Sequence, residues 1–218
     1  MDTLKIKLIM KYYLTQHYTK EMKSLYDLSI GLTEKYASDN GFEYISNNGE
    51  RRCEDRPIYW EKIAWLNYLL STIDEGSYVV YQDYDSLNVN GDLKDALHDG
   101  YEIGMVHLRG GLGNRKVLEW FNSGIIILIN TKDVRNFLQR VWERGGQTDE
   151  DGLNGEIQSN NGTIGNGKVV ASLDPSWNCW RNNEGNCKVI NIKTWHGMSY
   201  QDKLSNIKEF IKDNKLSL

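Results

Sequence analysis

Proline and cysteine are both scarce: two prolines (Pro57, Pro175) and three cysteines (Cys53, Cys179, Cys187) in 218 residues. So little proline excludes a proline-rich linker or repeat and leaves long stretches free to form regular elements. An odd, sparse set of cysteines excludes a disulfide framework, and the absence of Cys-x-x-Cys spacing excludes the common zinc motifs. This usage fits a reducing compartment. No apolar run approaches the roughly 20 residues that span a bilayer. The N-terminal stretch Leu4–Met10 is interrupted by Lys5 and Lys7 and is too short for a signal peptide or anchor. The expected setting is therefore cytosolic.

Positive charge is not in excess either. Twenty-six Lys and Arg against 30 Asp and Glu give a formal net charge of −4, which excludes an overall basic footprint for nucleic acid. Only four histidines are present, too few to favour a two-metal hydrolytic site. With 39% hydrophobic and 26% charged residues the chain reads as an ordinary globular protein, and 218 residues suit a single domain spanning 1–218.

Strand and helix patterns alternate in the first half. Leu4–Met10 reads as a strand, and the spacing of Met22, Leu25, Leu28, Leu32 and Tyr36 predicts a helix from Thr19 to about Asn40. Phe42–Ser46 reads as a strand, and Pro57 opens a helix to about Ile73. The Tyr78 run is a buried strand, followed by a short helix over 92–98 and a strand over 102–108. Ser123–Asn130 is strongly apolar, and Thr131 is placed to cap a helix from 132 to 144. A helix begins near Asp149. The stretch 159–167 reads as a surface loop, 168–173 and 188–193 as strands, and 201–214 as an amphipathic helix. The pattern predicts an α/β fold with a mostly parallel sheet carrying an antiparallel addition.

Four segments place polar residues beside such strands. Tyr78-Val-Val-Tyr-Gln-Asp83-Tyr-Asp85 ends in two carboxylates at i and i+2, and alternation along an extended chain sets them on one side. Such a pair can hold a hard divalent cation between protein and diphosphate, or it can be two solvated turn acids. Phe121-Asn122-Ser123-Gly124 offers an amide and a hydroxyl suited to sugar hydroxyls, or a simple turn. Asp149-Glu150-Asp151-Gly-Leu-Asn154 fits a solvated helix N-terminus, where acids complement the helix dipole, and is not an EF-hand loop. Thr194-Trp195-His196-Gly197 carries a lone histidine, structural or a metal ligand. The loop Arg109–Arg115 lacks the glycine spacing of a Walker or dinucleotide motif. Trp177, Trp180 and Trp195, with Tyr12 and Tyr13, either line an acceptor cleft or pack the core.

In order along the chain these segments resemble retaining glycosyltransferases of the GT-A fold. The likeness is to the yeast α-galactosyl/mannosyltransferase and plant xyloglucan xylosyltransferase family, and to the bacterial lipopolysaccharide α-galactosyltransferases and glycogenin-like enzymes. Asp83-Tyr84-Asp85 matches the family's Asp-x-Asp, Phe121–Gly124 its Phe-Asn-[Ser/Thr/Ala]-Gly, Asp149–Asn154 its Asp-Gln-x-x-Leu-Asn, and His196-Gly197 its C-terminal His-Gly. Tyr36-Ala37 with Gly41–Tyr44, and Trp60–Ile63, resemble two upstream segments. Glu150 departs from the family's Gln, and Met198–Lys203 does not reproduce a clear phosphate-binding lysine.

The resemblance implies a nucleotide-diphospho-sugar donor, UDP-linked, and a metal ion, Mn²⁺ or Mg²⁺, held by Asp83, Asp85 and His196. It assigns Lys62, Gln82, Asp83, Asn122, Ser123 and Asp151 to the donor and Asp149 and Glu150 to catalysis, by a covalent or a front-face route. The sugar would be a hexose or pentose. The acceptor stays open among glycan, lipid-linked sugar, protein and modified nucleic acid, as does the oligomeric state. Family members of the secretory pathway carry an anchor that this chain lacks, pointing to a bacterial or viral cytosolic enzyme. Two other readings are a metal-dependent nucleotide-sugar hydrolase or pyrophosphatase, and a non-enzymatic carbohydrate-binding protein.

Overall fold

Alternation of strand and helix builds the first half. β1 (Tyr12–Gln16), α1 (Lys23–Asp39), β2 (Glu43–Ser46), α2 (Glu61–Thr72) and β3 (Tyr78–Gln82) follow in that order. This computed structural model describes residues 10–88, 91–98, 100–108, 120–178, 189–191 and 200–213. Beyond β3 come β4 (Ser86–Asn88), β5 (Ile103–Leu108), β6 (Trp120–Ile129), α3 (Lys132–Arg144) and α4 (Asp149–Ser159). The remaining described elements are β7 (Thr163–Gly165), β8 (Lys168–Val169), β9 (Ala171–Leu173), β10 (Val189–Asn191) and α5 (Tyr200–Asp213).

Six strands form one sheet in the order β2-β1-β3-β6-β5-β9. β1 pairs in parallel with both β2 and β3, and β5 with β9. β6 is antiparallel to its two neighbours, β3 and β5, so it alone runs against the other five strands. The expected mostly parallel sheet is therefore present, with the reversed strand inside it and two small antiparallel ladders, β4–β10 and β7–β8, beside it.

Period-two alternation divides the sheet residues between two cores. Val79, Tyr81, Met105, Ile126 and Leu128 face α2, α3 and α4, where they meet Ile63, Leu66, Phe137 and Leu153. Tyr78, Val80, Ile125 and Ile127 face the other way, against Ala37 of α1, Phe42, Leu93 and Trp177. Since α1 and α2 cover opposite faces, the chain winds outward in two directions from β1. Strand order reverses there, and open α/β sheets bind ligands outside the carboxyl ends at such a reversal.

Several sequence expectations shift. The strand placed at Leu4–Met10 falls, apart from Met10, outside the described residues, and the first described strand lies at Tyr12–Gln16. Tyr13 is buried in the core, and Tyr12 packs on Phe42 and Tyr78, so these rings do not form a cleft wall. Trp177 is likewise buried. β6 begins three residues before Ser123, the helix expected over 92–98 is a single 3₁₀ turn at Leu93–Asp95, and the 159–167 stretch contains a β-strand. Thr131 caps α3 as its sequence predicts, accepting from Val134 N at 3.2 Å. Trp180, Trp195, Cys179, Cys187 and the Arg109–Arg115 loop lie outside the described residues.

α4 sits close on Trp60, in the turn that leads into α2, because position 152 has no side chain. A Cβ built there would lie 2.5 Å from Trp60 Cη2, closer than packed atoms approach. Gly152→Ala is expected to cost about 1–3 kcal/mol through this overpacking, measured as a lower urea midpoint with an unchanged slope.

Candidate active site

The carboxyl edge of the sheet collects more than strand ends. β1 and β3 end there, β6 begins there because it is reversed, and the helices α2 and α4 begin close by. Lys62 in the first turn of α2 is the hub. Its Nζ lies 3.0 Å from Asp83 Oδ1, 3.0 Å from Asp149 Oδ2, 2.7 Å from Ser123 Oγ and 2.9 Å from the Ser123 carbonyl. Its side chain is 6% exposed. Burial alone would lower the pKa of this ammonium, but Asp149 and Asp83 outweigh that and hold it above the ordinary lysine value. A raised folded pKa stabilises the fold below the unfolded lysine pKa, and the contribution disappears only as pH rises through the folded one. The pairing thus operates undiminished at neutral pH.

Asp83 and Asp85 reach the site by a different route from the one their spacing suggests. β3 stops at Gln82, and residues 83–86 form a tight turn in which Ser86 N donates to the Asp83 carbonyl at 2.9 Å. Strand alternation therefore does not set their direction. Gln16 Nε2 donates to the Asp83 carbonyl at 3.1 Å, and Ser29 Oγ to that of Tyr84 at 2.6 Å. Asp85 is 8% exposed and acts electrostatically on the buried Tyr81 hydroxyl.

Asn122 and Ser123 are consecutive residues of β6, and in a regular strand they would point to opposite faces. The β5–β6 register jumps here, from Met105 opposite Ile126 to Val106 opposite Asn122. This bulge lets both residues reach one carboxylate. Glu150 Oε1 accepts from Asn122 Nδ2 at 2.7 Å and from Ser123 N at 3.2 Å, while Trp120 Nε1 reaches Oε2 at 3.4 Å. Ser123 Oγ donates to Asp149 Oδ2 at 2.7 Å. Asn154 ties α4 to β6, with its amide exchanging bonds of 2.7 and 2.8 Å with the Phe121 backbone.

The acidic triplet divides three ways. Asp149 is 5% exposed and paired with the ammonium, not solvated. Glu150 is held by neutral donors. Asp151 turns back to the helix start, where its carboxylate accepts from Thr148 N at 2.9 Å and Thr148 Oγ1 accepts from Asp151 N at 3.2 Å, a reciprocal capping box. Gln82 is also turned elsewhere. It is fully buried towards α1, donating to Thr33 Oγ1 and the Ser86 carbonyl and accepting from Asn88. Of the sequence candidates, Lys62, Asp83, Asn122, Ser123, Asp149 and Glu150 form one connected network. His196 lies outside the described residues, and so does any test of its place.

Three contributors escaped sequence reasoning. His17 Nδ1 lies 2.7 Å from the Tyr81 hydroxyl, which donates to Asp83 Oδ1 at 2.9 Å. Glu61, 1% exposed, takes Arg51 Nε and the Arg52 and Cys53 amides at 2.7–3.1 Å, fixing the loop that leads into Lys62. Neither charge nor spacing marks these residues. Only the pairing of β1 with β3 brings His17 beside Tyr81.

Three carboxylates (Asp83, Asp149, Glu150) act on the Lys62 ammonium, and a fourth, Asp85, acts on the neighbouring Tyr81 hydroxyl and shares the Asp83 turn. Asp83 and Asp85 offer hard oxygen donors from one tight turn, so the donor chemistry fits Mg²⁺ or Mn²⁺. Among the described residues no third His, Cys, Asp or Glu completes a metal-binding cluster.

Burial, and next the Lys62 charge, lower the His17 pKa to about 4. The unfolded chain takes up a proton near pH 6.5 that the folded chain refuses, so stability falls as pH drops from about 6.5 towards 4. His17→Asn should lose about 2 kcal/mol less than the wild type between pH 7 and 4.5, read from urea midpoints at both pH values. Lys62→Met, which strands the buried Asp149 and the half-buried Asp83 carboxylates, should cost about 3–5 kcal/mol at pH 7 in the same measurement.

No protein-family model and no curated protein sequence matches the chain. Solved structures do. A glycosyltransferase involved in glycosylation of the major capsid of PBCV-1 superposes with a TM-score of 0.67 at 12% identity, covering 91% of this chain and 99% of that one. The galactosyltransferase LgtC in complex with donor and acceptor sugar analogues gives 0.53 at 12% identity, with 92% and 95% covered. The apo glycosyltransferase GlyE of Streptococcus pneumoniae gives 0.55 at 12% identity, covering 94% of this chain and 64% of that one. This chain shares the glycosyltransferase fold of these proteins, of the GT-A class that its sequence resembles.

Proposed function

We propose that the chain is a metal-dependent retaining glycosyltransferase that moves a hexose or pentose from a nucleotide-diphosphate sugar, UDP-linked, to an acceptor. The observation that carries this reading is the meeting of Asp83, Ser123 and Asp149 on the Lys62 ammonium at the carboxyl edge where strand order reverses. A cavity of about 500 Å³ opens between α1 and β2, lined by Tyr18, Tyr26, Tyr44 and Asn48 among others. Its size and aromatic walls suit a nucleoside. The fold shared with glycosyltransferases adds support. Among the described residues no helix is long and apolar enough to cross a membrane, and Cys53 is a buried free thiol. Both agree with the cytosolic setting included in this reading.

In this reading Asp83 and Asp85, with His196, hold Mn²⁺ or Mg²⁺, and Asp83 also reaches the ribose. When bound, the cation supplies Lewis acidity at the diphosphate and offsets the charge of the leaving group. Asn122 and Ser123 orient the donor sugar, with their backbone fixed by the bulge. The two acids of α4 then differ in what they can offer. Asp149 is neutralised by Lys62 and positions that ammonium. Glu150 accepts from an indole, an amide and a backbone N–H, and its carboxylate stabilises oxocarbenium character on the sugar, whether or not a covalent bond forms. A carboxylate at position 150 accepts from all three donors, which an amide NH₂ group could not do.

The test is nucleotide release from a panel of UDP- and GDP-sugars, with and without Mn²⁺. Metal-dependent UDP release is expected. UMP with sugar phosphate would mark a pyrophosphatase instead, and no turnover a binding protein. Asp85→Asn should abolish metal-dependent turnover while leaving the unfolding transition unchanged. Glu150→Gln should lower kcat by about 10²–10³-fold with KM little changed; full activity in either variant refutes the role given to that residue.

A further inference from the structure

We propose that His17 and Tyr81 form a hydrogen-bonded strut that fixes the Asp83 carboxylate, with the neutral His17 carrying its proton on Nδ1. The functional value of the strut rests on the donor-site reading above, whereas its proton arrangement stands on geometry alone.

Proton counting gives the arrangement. Asp83 is ion-paired with Lys62 at 3.0 Å, so it is an ionised carboxylate and can only accept. The Tyr81 hydroxyl has one proton and spends it on Asp83 Oδ1 at 2.9 Å. The 2.7 Å contact between that same hydroxyl oxygen and His17 Nδ1 therefore needs its proton from the imidazole. Were Nδ1 bare, the Tyr81 hydroxyl would have two acceptors and could swing away from Asp83. The tautomer of His17 thus decides where the Tyr81 proton points.

The surroundings allow little slack. Tyr81 is fully buried in the sheet and His17 is 7% exposed. Their rings stack at a centroid distance of 5.7 Å and an interplanar angle of 28°, and Lys62 Nζ lies 5.2 Å from the Tyr81 ring. Asp83 Oδ1 is consequently held by two donors of different kinds. Lys62 supplies charge on a flexible stem, and Tyr81 supplies direction from a rigid ring. The Asp83 backbone is tied to β6 by its N–H, which donates to the Gly124 carbonyl at 2.9 Å, and the Tyr81 hydroxyl gives the side chain a link to the same sheet. Neither His17 nor Tyr81 needs to touch substrate, so both are positioning residues.

Two measurements on the full chain decide this. In ¹⁵N-labelled protein, long-range ¹H–¹⁵N correlation of the histidine rings reports which nitrogen is protonated, with His17 assigned by its loss in His17→Asn. The expected result is protonated Nδ1 in the wild type and a switch to Nε2–H in Tyr81→Phe. Protonated Nε2 in the wild type, or no change in Tyr81→Phe, overturns the strut. The second is UDP binding in the presence of Mn²⁺. His17→Asn keeps an N–H donor near the Nδ1 position and should bind within about threefold of wild type, whereas His17→Leu should bind about tenfold more weakly. Equal affinity of His17→Leu and wild type, or equal weakening of both variants, overturns the positioning role. If wild type binds neither UDP nor GDP with Mn²⁺, the donor-site reading fails and the ring correlation alone decides the strut.

Discussion

A buried ammonium is costly to place, and the arrangement of the carboxyl edge follows from compensating the one on Lys62. Desolvation of a charge is tolerated only where paired carboxylates and further acceptors surround it. Asp83, Asp149 and both oxygens of Ser123 meet that requirement, and they come from β3's following turn, α4 and β6. One side chain of α2 therefore ties together the turn after β3, the start of α4 and the start of β6.

The fold delivers these groups through three local devices. Reversal of β6 brings its first residues, not its last, to the carboxyl ends of β1 and β3. The bulge opposite Met105 and Val106 turns two successive side chains towards α4. The capping box at Thr148 and Asp151 starts α4 where Asp149 and Glu150 can face Lys62 and β6. Remove any one and the polar groups remain in the sequence but no longer meet.

The strong periodic signals were legible. The helical spacing behind α1 and α2, the apolar run of β6 and the Thr131 cap each correspond to an element at the expected place, because each rests on interactions within a few residues. Errors fall where the deciding interaction is distant. Tyr12 and Tyr13 could by sequence either line a cleft or pack the core, and the pairing of β1 with Glu43–Ser46 and Tyr78–Tyr81 buries Tyr13 and packs the half-buried Tyr12 on Phe42 and Tyr78. Asp151 and Gln82 carry the right chemistry for a site, yet the helix start claims one and the α1 side of the sheet claims the other. Their neighbours in sequence, Asp149 and Asp83, go to Lys62.

What the sequence determined by itself was the inventory and its order: acids after a buried strand, an Asn-Ser pair at an apolar strand, an acidic helix start, and a lysine in the first turn of an amphipathic helix. Those follow from composition and short-range pattern, which the chain carries without folding. Tertiary structure alone decided which of the acids share the lysine, that a turn and not an extended strand presents Asp83 and Asp85, and that His17 and Tyr81 stand behind Asp83. These depend on strand order, a register jump and burial. The physical reason is that a charge or a hydrogen bond acts over a few ångströms of space, and separation along the chain does not fix that distance until the sheet is assembled.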